Sequence, residues 1–165
     1  MSAVYEHLLP RERETLLPQL WDTLHPGGVL FLNQTPQRFF PFEVHTTKLP
    51  VINYLPDSLA LHFARMASRR VRPGESWESL LRRGIRGASV GEIMRRLSND
   101  SCRPRLLTPI AEGVNDQIDI WYAWASESQP SSFRRLTRSA LKALKRVSGV
   151  DLAPSLAVAI QKSCR

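Results

Sequence analysis

A chain of 165 residues with 42% hydrophobic and 23% charged side chains is long enough for one packed domain and too short for two. No apolar run approaches 18 residues, and the first residues lack a basic segment leading into an apolar one, so neither a membrane-spanning helix nor a secretory signal is expected. Twenty-three basic against 15 acidic residues give a net charge of +8, gathered at Arg69–Arg72, Arg82-Arg83, Arg95-Arg96, Arg134-Arg135 and Lys142–Arg146. That excess would suit nucleic acid or an anionic membrane, but solvated helix faces explain it more simply, and no aromatics are interleaved with it to form a stacking RNA platform. Nucleic acid is therefore not the expected partner.

In chain order, Ala3-Val4-Tyr5 has the composition of a strand tail. Pro10 suits a helix start, and Leu16, Leu17, Leu20, Trp21 and Leu24 recur at three- and four-residue spacing. A helix from Pro10 to about Leu24, bent at Pro18, is expected. Pro26-Gly27-Gly28 then turns the chain into Val29–Asn33. An unbroken short apolar run suits a strand covered on both faces, and helix, tight turn, buried strand is half of an αβ unit; a parallel sheet is expected. Gln34 to Pro56 carries four prolines with Phe39, Phe40, Phe42 and Tyr54, and reads as an ordered cover over the carboxyl end of that strand, where open α/β sheets bind ligands.

Asp57 or Ser58 caps a helix to about Arg69 with Leu59, Phe63 and Met66 inward, and a short helix after Ser76 buries Trp77, Leu80 and Leu81. Ser89 with Glu92 forms a capping box for a helix presenting Val90, Ile93, Met94 and Leu97. Arg105–Ile110 is a candidate strand, and Ile118, Trp121, Tyr122 and Ala125 fit a helix face. Ser131 or Ser132 opens a long helix with Phe133, Leu136, Ala140, Leu144 and Val147 on one side, ended by Ser148-Gly149. Leu156–Ile160 reads as a buried terminal strand. Cys102 and Cys164 lack metal-ligand spacing, so two free thiols in a reducing, cytoplasmic compartment are expected.

Glu6-His7-Leu8, the Leu-rich helix, Leu24-His25-Pro26-Gly27-Gly28-Val29-Leu30-Phe31-Leu32 and Thr35-Pro36-Gln37-Arg38, in that order, resemble the second half of a class I S-adenosylmethionine-dependent methyltransferase. The resemblance implies an α/β fold: a partial Rossmann-like methyltransferase sheet of the later strands, five to seven, with a helical insertion over residues 57–100 of a single domain spanning 1–165. It implies methyl transfer from S-adenosylmethionine to a small-molecule or lipid-like acceptor. It places Glu6 and His7 at the catalytic position and Tyr5 on the cofactor side. The Thr35–Arg38 segment together with Glu43-Val44-His45 is similar to an acceptor-side segment of some members, which makes Arg38, Glu43 and His45 candidate substrate-binding residues.

The glycine-rich cofactor loop of that family does not occur here, and Gly84-Ile85-Arg86-Gly87 has no strand before it. The chain accordingly reads as a truncated transferase, inactive alone, with a non-catalytic remnant or a protein that completes a sheet with another chain as the alternative. An incomplete sheet exposes an edge, which predicts marginal stability or dependence on a partner. Some members bind a divalent metal through E-x-x-E-H; Ala3 stands at the first acidic position, and two ligands do not make a site, so no metal is expected. An imidazole at position 7 is suited to taking a proton from the acceptor, while the competing reading has Glu6 and His7 capping the helix at Pro10. Trp77, Trp121 and Trp124 line either an acceptor pocket or the core. The basic helix Arg134–Arg146 would suit peripheral membrane contact and a lipid-like acceptor, although packing on the sheet explains its apolar face more simply.

Overall fold

A computed structural model describes residues 1–98, 102–109, 114–124 and 131–164. Helix α1 (Pro10–Thr23) leads through the Gly27 turn, at φ +81°, into β1 (Val29–Pro36). Helices α2 (Asp57–Ala67), α3 (Trp77–Arg82) and α4 (Val90–Leu97) lie between β1 and β2 (Cys102–Leu106) in the chain. Then follow α5 (Gln117–Trp124), α6 (Ser132–Ser148) and β3 (Ser155–Cys164), with 3-10 turns at Tyr5–His7 and Ile52–Tyr54. The protein is mixed α/β.

The expected parallel sheet is corrected. The three strands are ordered β1-β3-β2, and β3 runs antiparallel to both neighbours. Leu30 opposes Ile160 and Leu32 opposes Val158, while Arg105 opposes Gln161. Nor is β1 covered on both faces: Leu30 and Leu32 are buried, but Phe31 between them is 57% exposed. The alternation was hidden because the outward residue is itself apolar. The register breaks between Leu32 and Thr35, where Gln34 takes φ +63°, and Thr35 and Pro36 both turn inward. Along the other edge of β1, Asn33 N–H donates to the Met1 carbonyl and Ala3 N–H to the Asn33 carbonyl, both at 3.0 Å, a parallel bridge. The strand tail thus falls on Met1–Ala3, two residues before the position expected.

One core cluster packs Leu17 and Trp21 of α1 and Ile93 and Leu97 of α4 against Leu30, Leu32, Leu156, Val158 and Ile160. Leu16 and Leu20, expected inward, are exposed. Lys162 of β3 donates to the Trp21 and Leu24 carbonyls at 2.8 and 2.9 Å, a buried cation on the C-terminal carbonyls of α1. A second cluster joins Ile52, Ala60, Ala64, Leu80 and Ile85. There α2 is rotated from expectation: Ala60 and Ala64 face in and Leu59 and Met66 face out. The serine caps of α3 and α4 form, with Ser76 Oγ accepting from Ser79 N–H and Ser89 Oγ from Glu92 N–H, but the capping box expected at α4 is only half made, because the Glu92 carboxylate is drawn to Tyr5, Arg13 and Arg96.

Three further corrections come from the second half of the chain. The strand expected over Arg105–Ile110 lies at Cys102–Leu106; Ile110, like Ala125, is outside the described residues. Cys102 and Cys164 are not free thiols but a disulfide, because β3 returns to lie directly opposite β2 at that pair. The reducing compartment read from them therefore loses its basis. Finally, α6 does not bury its apolar side: Phe133, Leu136 and Val147 are 79%, 69% and 89% exposed. Its basic side turns inward instead, onto Asp116, Asp119 and Asp151. No helix among the described residues is long and apolar enough to cross a membrane.

Candidate functional site

Glu6 and His7 lie in the 3-10 turn ahead of α1 and are not its cap; the N-terminal amide of Leu9 is instead satisfied by the Glu12 carboxylate at 2.9 Å. Buried Arg13 fixes the turn by donating to the carbonyls of Glu6, Leu8 and Gly87 at 3.2, 2.9 and 2.7 Å. This brings the Glu6 carboxylate, with no solvent exposure, to the carboxyl end of β1, where Oε2 accepts from Thr35 Oγ at 3.2 Å. Its other oxygen, Oε1, has no hydrogen-bond partner. A buried carboxylate oxygen without a donor is costly, by roughly 1–3 kcal/mol or more for a charged group, and calls for a cation or a proton donor.

Two imidazoles face that oxygen. His7 Nδ1 lies 2.7 Å from the Arg82 carbonyl, which can only accept, so Nδ1 is the donor and, in the neutral imidazole, Nε2 carries the lone pair. Nε2 is 3.8 Å from Glu6 Oε1. His45 arrives from the loop after β1, its ring centroid 5.7 Å from that of His7. One ligand atom from each of Glu6, His7 and His45 lies within 4.8 Å of the others. Two imidazoles and one carboxylate suit a divalent transition metal, for which metal–ligand distances of about 2.0–2.2 Å require the three donor atoms to draw closer together, and exposed His45 is the one with room to move. With Glu6 buried, His7 half-buried and His45 exposed, the cluster opens to solvent on the His45 side. Orphaned Oε1 and the Nε2 lone pair of a neutral His7 together fit a cation.

The loop that carries His45 is pinned by Glu43. Its buried carboxylate accepts from the amides of His45, Thr46 and Thr47 and from Thr47 Oγ at 2.7 Å. Thr46 Oγ donates to the Arg83 carbonyl at 2.7 Å, tying the loop to the end of α3. That same end supplies the carbonyl that orients His7, and Arg82 is anchored to Glu12 through both guanidinium nitrogens. The hydrogen bonds from Arg82 hold the Glu12 carboxyl below the usual range. Gly84, at φ +91°, closes the floor: a Cβ there would lie 3.0 Å from His45 Cδ2 and 3.1 Å from Glu6 Cγ.

The structure brings together Glu6, His7 and His45 of the residues selected from sequence, and puts the others elsewhere. Tyr5 is in the core with its hydroxyl donating to Glu92 at 3.1 Å and Arg13 over its ring; burial, then the Glu92 charge, pushes the phenol well up. Glu43 has its oxygens turned onto its own loop and serves it as an anchor. Arg38 lines a separate cleft of about 280 Å³ with Arg13, Arg86, Arg96, Glu92 and Asp57, where burial, then Arg86, lowers its pKa. Trp77 stacks on Arg86 beside the second cluster, whereas Trp121 lines an apolar cleft with Phe40, Phe42, Val44 and Phe133. His25 and His62 are on the surface.

Sequence reasoning missed Thr35 as the partner of Glu6, His45 as a third ligand, and Gly84 as the floor. Thr35 stands inside a motif already quoted, but nothing local marks its hydroxyl for Glu6. No protein-family model, curated protein or solved structure matches the chain, and the cluster is assigned on its own geometry.

Proposed function

We propose that this chain is the acceptor-side portion of an S-adenosylmethionine-dependent methyltransferase acting on a small-molecule or lipid-like acceptor, with a divalent cation held by Glu6, His7 and His45. The observation that carries the reading is the meeting of two segments far apart in sequence, Glu6-His7 and the His45 loop, at the carboxyl end of β1. The resemblance alone implied a catalytic position for the first and the acceptor side for the second. Two features of the sheet support it further. β1 and β2 run in one direction with β3 reversed between them, which suits the closing strands of a larger sheet, and Met1–Ala3 starts a parallel neighbour on the outer edge of β1.

The methyl donor finds no cradle among these residues: the sequence lacks the glycine loop, and Tyr5 is sealed in the core. What the chain contributes is binding and orientation of the acceptor and removal of its proton. A divalent cation supplies Lewis acidity to the acceptor oxygen when bound. The Arg82 carbonyl holds His7 through Nδ1, Glu6 provides a compensating negative charge shielded from water, and the Glu43 turn sets the reach of His45.

The test uses Co²⁺, whose absorption reports coordination, and 4-nitrocatechol, whose spectrum reports its ionisation. The Co²⁺-loaded chain should ionise the probe at a pH where free probe is protonated, and Glu6→Gln and His45→Ala should abolish the change. A loaded wild-type chain that leaves the probe spectrum untouched defeats the acceptor-side reading. The second reading, a non-catalytic protein that adds its β1 edge to another chain, would then stand, favoured by the outward Phe31 and the partly bridged edge.

A further inference from the structure

Amphipathic helices on a protein surface ordinarily turn their apolar stripe inward. In α6 the order is reversed. Arg138 Nη2 lies 2.7 Å from Asp119, Lys142 Nζ lies 2.8 and 2.7 Å from Asp116 and Asp119, and Lys145 Nζ lies 2.7 and 2.9 Å from Asp116 and Asp151. The three carboxylates fix the rotation of the helix about its axis and leave the apolar stripe in solvent.

That stripe has a pattern. Phe133, Leu136, Ala140, Ala143 and Val147 follow each other at spacings of three, four, three and four, and Val150 lies just past the left-handed Gly149 that ends the helix. All six are exposed. Alternating three and four is the seam of a coiled coil, narrower than the stripe that packs on a globular core. Within the helix the seam is also matched about the point between Leu141 and Lys142: Leu136 matches Val147, and Ala140 matches Ala143.

We infer that α6 is a self-association element, pairing antiparallel with α6 of a second copy of this chain about a two-fold axis near Leu141-Lys142. A two-fold interface is self-complementary, which the matched seam satisfies. In the antiparallel arrangement the alanines meet at the crossing and allow close approach, and each end receives one phenylalanine. A parallel pair would bring both Phe133 rings together at one end and splay the helices. Antiparallel pairing also carries the partner's Val150 to the mouth of the apolar cleft formed by Phe40, Phe42, Val44, Trp121 and Phe133, which enlarges the covered area. Arg146 falls opposite the partner's Thr137 rather than opposite another cation.

The placing of the cations weighs against a lipid surface as the occupant. A helix lying in a bilayer interface carries its cations beside the apolar stripe, where they reach the headgroups. Here Arg138, Lys142 and Lys145 are committed to aspartates, which leaves Arg146 and, further round, Arg135 as the exposed cations beside a stripe otherwise bordered by Ser132, Thr137, Ser139 and Leu144. A seam on a helix of 17 residues, about 25 Å long, gives an interface at the small end of specific ones, so dissociation on the order of micromolar is expected.

Sedimentation velocity of the full chain across the micromolar range tests this. Wild type should pass from monomer to dimer as concentration rises, while Leu136→Lys and Ala140→Glu, at exposed positions, should keep the far-UV circular dichroism and remain monomeric. Arg135→Ala, outside the seam, should dimerise like wild type. Oxidation of a mixture of Ala140→Cys and Ala143→Cys chains should cross-link the two unlike chains in preference to like ones. Monomer at every concentration, preferential Ala140→Cys self-cross-linking, or monomeric uptake onto phosphatidylglycerol vesicles that Leu136→Lys abolishes would each overturn the proposal.

Discussion

Glu6 is held in the protein against its own preference for water, with no solvent exposure and one oxygen unpaired. Glu6→Gln keeps the shape and removes the charge. Urea unfolding should find the variant as stable as wild type or more stable by on the order of 1 kcal/mol, because a buried charge without full compensation works against folding. Co²⁺ affinity should meanwhile fall at least about tenfold. A variant destabilised by more than about 2 kcal/mol would show that the carboxylate is structurally satisfied after all. Gly84 gives the converse case. An alanine there must adopt φ +91° and press on both Glu6 and His45, so Gly84→Ala should cost roughly 1–3 kcal/mol and weaken Co²⁺ binding together. Unchanged cation affinity in a folded Gly84→Ala chain would remove Gly84 from the site. At this scale the sequence was partly legible. Glu6, His7 and His45 carry their chemistry in their residue types, but their meeting depends on how Arg13, Thr35 and the Glu43 turn aim them. Gly84 was set aside for want of a strand before it, although its role comes from a positive φ and two close neighbours, which no local pattern announces.

At the scale of elements, local signals were read correctly where the physics is local. Pro10, Ser76, Ser89 and Gly149 begin or end helices as capping chemistry requires. What failed depends on distant partners. The apolar run Val29–Leu32 cannot reveal a wet face when the outward residue is Phe31, and its antiparallel neighbour is supplied by β3 at the other end of the chain. The α6 stripe was assigned to the sheet because amphipathicity gives a face and not a direction; the aspartates of α5 and Asp151 decide that. The cysteines looked unrelated at a separation of 62 residues, yet they close the β2–β3 ladder at its end. Closing a loop of that length stabilises by roughly 4 kcal/mol in the chain-entropy model. At about 2–4 °C per kcal/mol, reduction should lower the melting temperature by roughly 10 °C, and the Cys102→Ser, Cys164→Ser double variant should melt like the reduced protein. Equal melting of oxidised and reduced chains would refute the bridge's contribution.

The whole molecule is unevenly held. The sheet, α1 and α4 share a buried apolar cluster, whereas the described residues of α6 include no buried one and reach the body through ion pairs. Such a layer should open separately from the core. Burial acts to raise the carboxyl pKa of Asp116 and of Asp119. Hydrogen bonds from Lys142 and Lys145 to Asp116, and from Lys142 and Arg138 to Asp119, outweigh it and leave both below the usual carboxylate value. A depressed folded value means the unfolded chain binds protons first as acid is added. The stabilisation is therefore complete above the ordinary aspartate value of about 3.9 and is lost as pH falls below it toward the folded values. Lys142 and Lys145 are shifted the other way: burial alone lowers them, but their aspartate partners win and raise them, so their contribution is lost only as pH rises beyond about 10.4. Between those limits α6 should stay docked. Hydrogen exchange, corrected for the intrinsic rate at each pH, should show protection over Ser132–Ser148 unchanged down to about pH 4 and falling from there toward about pH 2, while β1 and β3 stay protected. Asp116→Asn should produce the same selective loss near neutrality, because it removes the acceptor charge shared by both lysines. Simultaneous loss over α6 and the sheet at one pH would mean that the helix is bound to the body by something stronger than these carboxylates.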